Sequence, residues 1–352
     1  MNFWRNTVPP PMPVIRTALA PSAPLHQPAW ASTPAPPPVP RRLWLHLLLF
    51  ALTTLSMTAA GAMQQGVDPL SSIKALVHLV EGIPFAATLL FILTVHEFGH
   101  YFAARRWGVK ASLPYFLPLP YVSFLGTLGA VIKIRSPIPH KRALLDIGAA
   151  GPIAGFVIAL VACCAGLARS AVVPVDSFHV APIELGAPLL FSAIAALVLP
   201  PIGSDQLVLL DPIAFAGWVG LFITAFNLFP IGQLDGGHIV YALFGPAHRH
   251  IARTVFAILL AMGVYGMLSL LWDLPQGWPG WLALAFFLAL FGKEHPAPYD
   301  TFTTLDRRRR LVGYLCLLIF VVCFAQVPFT TPCAGCCYWR CCTRAVAWVT
   351  AK

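Results

Sequence analysis

Charge is what this sequence has least of. Only 10% of its 352 residues are Asp, Glu, Lys or Arg, against about 25% in ordinary soluble domains, and 58% are hydrophobic. That excludes a soluble globular enzyme. It also excludes disorder over most of the length, which needs low hydrophobicity and high net charge. Acidic residues are the scarcer sign, 13 against 23 basic, for a net charge of +10. In a soluble chain that excess would raise nucleic-acid binding. Here the basic residues cluster between hydrophobic runs, as the positive-inside rule requires, and no nucleic-acid partner is expected. A disulfide framework is missing too: of nine cysteines, five crowd between Cys333 and Cys342 and the rest sit in apolar runs. The first 42 residues hold twelve prolines, few Ser or Arg and no apolar core, so neither a signal nor a transit peptide is expected there.

What is present is a series of apolar runs, each to be judged against the ~20 residues that cover a ~30 Å hydrocarbon core. Runs at 43–63, 83–104, 147–167, 213–229, 254–271, 278–291 and 311–327 predict an all-α polytopic membrane protein with about six to seven transmembrane helices. The run 188–198 is short and bounded by Pro200 and Pro201, which leaves a re-entrant segment and a surface helix both open. Between the second and third helices, the glycines and β-branched residues of FLGTLGAVIKIRSPIP (124–139) predict a short β-hairpin or strand, with a plain cytoplasmic loop as the alternative. Orientation follows from charge. The head and the segment 105–142 carry basic residues and no acid, whereas 169–211 carries one basic residue and four acids. The first two are therefore cytoplasmic and the third external, which also puts Asp306 to Arg310 inside.

Against this background His96-Glu97-Phe98-Gly99-His100 stands out. Histidines at i and i+4 share a helix face one turn apart, so both rings can reach one metal ion. Placing ionisable groups in an apolar span costs about 2.5–3.5 kcal/mol for a central charge on insertion scales, and a metal offsets much of that. A catalytic zinc takes three protein ligands, so a third is needed. Asp235 in NLFPIGQLDGGHIVYALFG (227–245) is favoured, with His238 as a rival; Pro230, Gly232, Gly236 and Gly237 predict irregular backbone there. Glu97 is then the general base toward a metal-activated water. Asn227 is a candidate oxyanion donor, a helix cap being its other reading. An exposed strand edge near 131–134 would offer a place to pair an unwound substrate segment.

Taken together, HEFGHYFAARRWGV, GTLGAVIKIRSPIPHKRALLDIGAAGPIAGF and NLFPIGQLDGGHI resemble the site-2 protease family of intramembrane zinc metalloproteases, over about residues 83–245. The resemblance implies that His96, His100 and Asp235 bind one Zn2+ per chain, that Glu97 activates water, and that Asn227 contacts the transition state. It implies a transmembrane protein as substrate, met within the lipid bilayer. The wording is closest to the branch, similar to plastid and bacterial members, that lacks a PDZ domain between core helices; the interval 148–227 has no room for a domain of ~90 residues. Substrate gating is thereby left to extra helices, loops or a separate adaptor. A multi-pass protein of the bacterial inner (cell) membrane, with its site toward the cytoplasmic side, is expected.

The chain thus divides into a Pro-rich head (1–42), a membrane-embedded metalloprotease core (43–245, with the HExxH helix at 83–104 and the LDG region at 227–245), additional transmembrane helices (246–331) and a Cys-rich tail (332–352). In the tail, PCAGCCYWRCC matches no common zinc module. Two readings from other classes compete with the protease. A catalytically silent scaffold would hold zinc in a closed four-ligand site that includes His238. An ion-coupled transporter would show repeats, and neither motif has a second copy.

Overall fold

A helix without a polar face must be covered all round by protein or by lipid. Among the described residues, four stretches are long and apolar enough to cross a membrane: Leu43–Gln64, Lys74–Arg106, Lys141–Leu167 and Asp235–Leu271. The computed structural model describes residues 43–69, 71–174, 183–203, 205–272, 274–275, 277–290, 299–300, 302–330 and 346–348. The Pro-rich head and nearly all of the Cys-rich tail lie outside the described residues.

The chain enters α1 (Leu43–Gln64) and returns through a 3-10 segment (Lys74–Gly82) into α2 (Ile83–Arg106), where Pro84 sits in the first turn, the one helical position that loses nothing by lacking an amide. Two short strands, β1 (Tyr115–Pro118) and β2 (Thr127–Val131), precede α3 (Lys141–Leu167), whose first turn is capped by the His140 ring. Beyond α3 come β3 (Ala171–Pro174), β4 (Ile183–Leu185), α4 (Leu189–Val198) and β5 (Gln206–Leu209). Then follow α5 (Pro212–Asn227), α6 (Asp235–Phe244), α7 (His248–Leu271), α8 (Gly280–Leu290), α9 (Arg307–Cys323), β6 (Phe329–Thr330) and β7 (Val346–Trp348). The later strands join in the order β3-β5-β7-β4-β6. The segment expected at 188–198 is the ten-residue α4, with Phe191 and Ile194 buried and Leu189 and Leu197 exposed.

The core is α3 with α2 and α5 against it. Almost every side of α5 is buried, including Phe215, Trp218 and Leu221, so protein rather than lipid surrounds it. Small residues set the register of α3 and α5: Gly166 meets Ala214, Gly217 meets Cys163, and Gly220 meets Ala159, so the two run antiparallel at close range. The same register continues past the end of α5. Asp235 and His238 of α6 lie against Gly148, and Gly245 lies near Lys141 at the start of α3. Thus α5 and α6 are two halves of one path along α3, separated by residues 228–234.

That link is narrower than the sequence suggests. Irregular backbone was expected across 227–245, yet Gly236 and Gly237 lie inside α6. They are needed there for space, because a Cβ on Gly236 or Gly237 would collide with the carbonyl oxygen of Leu228 or Gly232. The long apolar stretch Asp235–Leu271 is likewise not one rod. Gly245, at φ +58°, and the 3-10 turn Gly245–Ala247 divide α6 from α7.

The β element expected between α2 and α3 is present, with one strand inside the window 124–139. Strand β2 ends at Val131, and its antiparallel partner β1 lies upstream, pairing Tyr115 with Val131 and Phe116 with Ala130. Beyond it only a single bridge, Ala111 to Ile134, continues the pairing. Pro137 and Pro139, which lack amides, prevent a longer strand. The hairpin lies along α1 and is tied to it at three heights: His46 Nδ1 to the Pro114 carbonyl (2.9 Å), Ser56 Oγ to that of Gly126 (2.6 Å) and Gln64 Nε2 to that of Phe124 (3.0 Å). From His46 to Gln64 an α-helix rises about 27 Å, close to the thickness of the hydrocarbon core. Strand pairing and these side chains satisfy backbone groups that water would otherwise have to reach.

Gly126 is the tightest point of this seat. Its φ is +74°, and a Cβ there would lie 2.5 Å from the Ser56 carbonyl oxygen. Gly108 has φ +67° but open space around it. Gly126→Ala should therefore lower the thermal midpoint in detergent clearly more than Gly108→Ala, which carries only the backbone cost of about 1–2 kcal/mol. Equal losses would show that the contact with α1 is unimportant.

Candidate active site

His96, Glu97 and His100 lie in the last half of α2, all three buried. The two histidines face α3, and the approach there is close because the facing residues lack side chains. A Cβ on Gly99 would sit 2.6 Å from the Ala150 carbonyl, one on Gly155 would sit 3.1 Å from the His96 Cβ, and one on Gly151 would overlap the His100 ring. Pro152 removes the amide that would have bonded the Gly148 carbonyl, loosening α3 beside the two histidines. One carbonyl of this stretch has a defined task. His100 Nδ1 lies 2.7 Å from the oxygen of Ile147, and since a carbonyl only accepts, Nδ1 carries the proton. The lone pair of His100 is thereby left on Nε2, pointing into the site.

Asp235 arrives from the other side as the first residue of α6. The unpaired amides of a helix N-terminus favour a carboxylate there, with the macrodipole adding roughly +0.5 charge. Its Oδ2 is 3.4 Å from His96 Nε2 and 3.2 Å from His100 Nε2, and the two Nε2 atoms are 3.1 Å apart. Three ligands held tetrahedrally at 2.0–2.1 Å from a zinc ion would be roughly 3.3 Å from one another. The donor set, two imidazole nitrogens and one carboxylate oxygen, fits that ion in chemistry and in spacing. Among the described residues these are the three that could hold a metal together. His238 is not of that group; its Cβ packs toward Gly148, one turn farther along α6.

Asn227, the last residue of α5, places its amide nitrogen 3.4 Å from His96 Nε2. Glu97 has the backbone amide of Ile132, just past β2, bonded to its carboxylate. The end of the hairpin is therefore at the site itself. Beyond β1, the sheet of β2 has no further strand among the described residues. All five residues expected from the sequence, His96, Glu97, His100, Asn227 and Asp235, converge here. Ile132 falls in the strand edge expected near 131–134; Ile147 and the glycines 148, 151 and 155 were not expected at the site, although the glycines leave a trace as a small-residue face at i, i+3 and i+7 on α3.

A model of peptidase family M50 matches residues 84–271, more than half of the chain and all of this site. The chain belongs to peptidase family M50, the site-2 protease family. Among its relatives, "Probable zinc metalloprotease EGY2, chloroplastic" of Arabidopsis thaliana is 31% identical over 283 residues, 77% of this chain and 47% of that protein. "Probable zinc metalloprotease EGY1, chloroplastic" of Oryza sativa subsp. japonica is 33% identical over 263 residues, 67% of this chain and 45% of its own length. "Probable zinc metalloprotease EGY3, chloroplastic" of Oryza sativa subsp. indica is 31% identical over 261 residues, covering 68% and 41%. The chain spans about half the length of the curated relatives it matches. Their names place those proteins in chloroplasts, which gives the expected bacterial inner membrane no support. A multi-pass membrane protein agrees with the four long apolar stretches.

The packing of α3 on the histidines predicts a specific sensitivity. Gly151→Ala should push the His100 ring out of line and lower the zinc retained through purification several-fold, measured by atomic absorption. The overpacking itself should cost about 1–3 kcal/mol. Wild-type zinc content in that variant would mean that the ring has room to move.

Proposed function

We propose that the chain is an intramembrane zinc endopeptidase that hydrolyses peptide bonds in or near the transmembrane segments of membrane-protein substrates. The observation that carries this reading is the separation of three donor atoms by 3.1–3.4 Å, beside a buried glutamate, inside an apolar bundle. His96, His100 and Asp235 hold the metal, one Zn2+ per chain. When bound, zinc supplies a Lewis acid that lowers the pKa of water toward ~7 and polarises a carbonyl. Glu97 takes the proton from the attacking water as the new C–O bond forms, and then delivers it to the amine nitrogen, which leaves as the peptide C–N bond breaks. Once His96 Nε2 is a ligand it no longer accepts a hydrogen bond. The Asn227 amide is then free to donate to the oxyanion that develops on the substrate carbonyl.

A helical substrate shields its peptide bonds, so it must unwind before hydrolysis. The outer edge of β2 is suited to receive it as an added strand, with the Ile132 amide holding the Glu97 carboxylate at the strand's end. For the topology, α1, α2, α3, the broken pair α5–α6, α7, α8 and α9 make up six or seven crossings. Residues 43–245 form the catalytic core and 246–331 supply further spans. The site lies toward the face that carries Arg105, Arg106, Lys141 and Arg142, cytoplasmic by the positive-inside rule.

Wild type and Glu97→Gln, purified in detergent with zinc measured in each, should be compared on a panel of single-span substrates. Both should retain zinc and only wild type should cleave, the loss being at least about 10²-fold. Asp235→Ala should lose zinc as well as cleavage. Zinc bound with cleavage unchanged in Glu97→Gln would remove the glutamate from the chemistry. A zinc-loaded wild type inert toward every substrate would favour the silent scaffold.

A further inference from the structure

The basic run at the start of α9 marks topology, but one of its arginines does more. Arg307, Arg308 and Arg310 are exposed, whereas Arg309 turns inward. Its Nε and Nη2 donate to the two oxygens of Asp146, each at 2.9 Å, and its Nη1 donates to Asp306 at 2.7 Å. The guanidinium carbon lies 5.5 Å from the centre of the Trp107 ring, whose indole N–H also donates to Asp146 at 3.1 Å. A forked pair of this kind, stacked on an aromatic ring and about 70% covered, holds geometry in a way that a mobile surface pair does not. It joins three elements: the residue after α2, the second turn of α3 and the first turn of α9.

Asp146 immediately precedes Ile147, the residue whose carbonyl fixes the His100 ring. The rest of α9 also backs the site. Gly313 packs on Leu243 of α6, and Phe320 and Phe324 meet Phe229 in the link 228–234 at 5.1 and 5.9 Å between ring centres. Yet α9 lies beyond residue 271, where the family match ends.

We propose that Arg309 and Asp146 are positioning residues of the metal site: their clamp fixes the second turn of α3, and so the Ile147 carbonyl that orients His100. α9 then belongs to the catalytic unit. The proposal rests on the zinc reading for the identity of the ion at His100, and its test keeps the two apart.

The full chain in detergent is loaded with Co2+, whose visible absorption reports ligand geometry, and Zn2+ affinity is measured by competition with a chelator. A His96→Ala, His100→Ala double variant serves as the blank for metal held elsewhere, including by the cysteines of 332–352. Arg309→Ala should weaken Zn2+ binding about 10–100-fold, as loss of groups that orient ligands does, and should shift the Co2+ spectrum. Arg309→Lys keeps the charge without the fork and should fall between. The exchanged pair Asp146→Arg, Arg309→Asp should recover part of both. Arg169→Ala breaks an ion pair at the other end of α3 (3.0 Å to Asp211) and should change stability without changing affinity or spectrum. Wild-type affinity and spectrum in folded Arg309→Lys and Arg309→Ala overturn the clamp alone. A wild type whose Co2+ spectrum equals the blank overturns the zinc reading, and the clamp with it.

Discussion

An apolar bundle offers no water to a charge, and four ionisable side chains meet inside this one. An isolated ion moved from water into such surroundings costs several kcal/mol even after relaxation. Each member of the group therefore has to be answered by another group within a few ångströms. His100 is answered by the Ile147 carbonyl, Asp235 by both imidazoles and by its place at the start of α6, and Glu97 by the Ile132 amide. These demands explain features that would otherwise look like defects in a membrane helix bundle. The glycines of α3 bring backbone to the rings, and the interruption between α5 and α6 supplies a helix N-terminus at the depth of the histidines.

Such an interruption exposes backbone that must be satisfied on the spot. Residues 228–234 manage this with tight turns: Leu228 donates to Thr224, Phe229 to Phe226, Ile231 to Phe229 and Leu234 to Ile231. Pro230 has no amide to place. The hairpin solves the same problem by strand pairing and by the three polar side chains of α1. Both irregular segments border the site, and both are held by neighbours on named sides, so they behave as shaped backbone rather than loose loop.

The legible part of the sequence was the part with a strict local rule. Histidines at i and i+4 declare a shared face before any packing is known, and a run of twenty apolar residues declares a span. Asp235, followed by two glycines, could be ranked above His238 from ligand chemistry, and the structure puts only the first within ligand-sharing distance of the two histidines. What stayed hidden depends on partners far along the chain. No local pattern tells which carbonyl of α3 meets His100, forty-seven residues away, or that Arg309 reaches Asp146 across 163. The strand fell inside the window 124–139, but its partner stayed hidden for a related reason: β1, which pairs with it, lies upstream of that window, at Tyr115–Pro118.

The division of labour between the three proposed ligands follows from these contacts. His96 and His100 ride on one long helix, so their backbone spacing is set by helical geometry, while α3 holds their rings. Asp235 rides on a helix of ten residues, too short to be stable by itself. Its position is decided by what lies on either side: α3 through Gly148 and α9 through Leu243 and Gly313. Loss of the Leu243–Gly313 contact would move the carboxylate directly, whereas α3 also bears on the histidine rings through Ile147, Gly151 and Gly155. Asp235 is thus a second route, beside the Ile147 carbonyl at His100, by which distant parts of the bundle can act on the site, and α9 is the flank contributed from outside the matched family region.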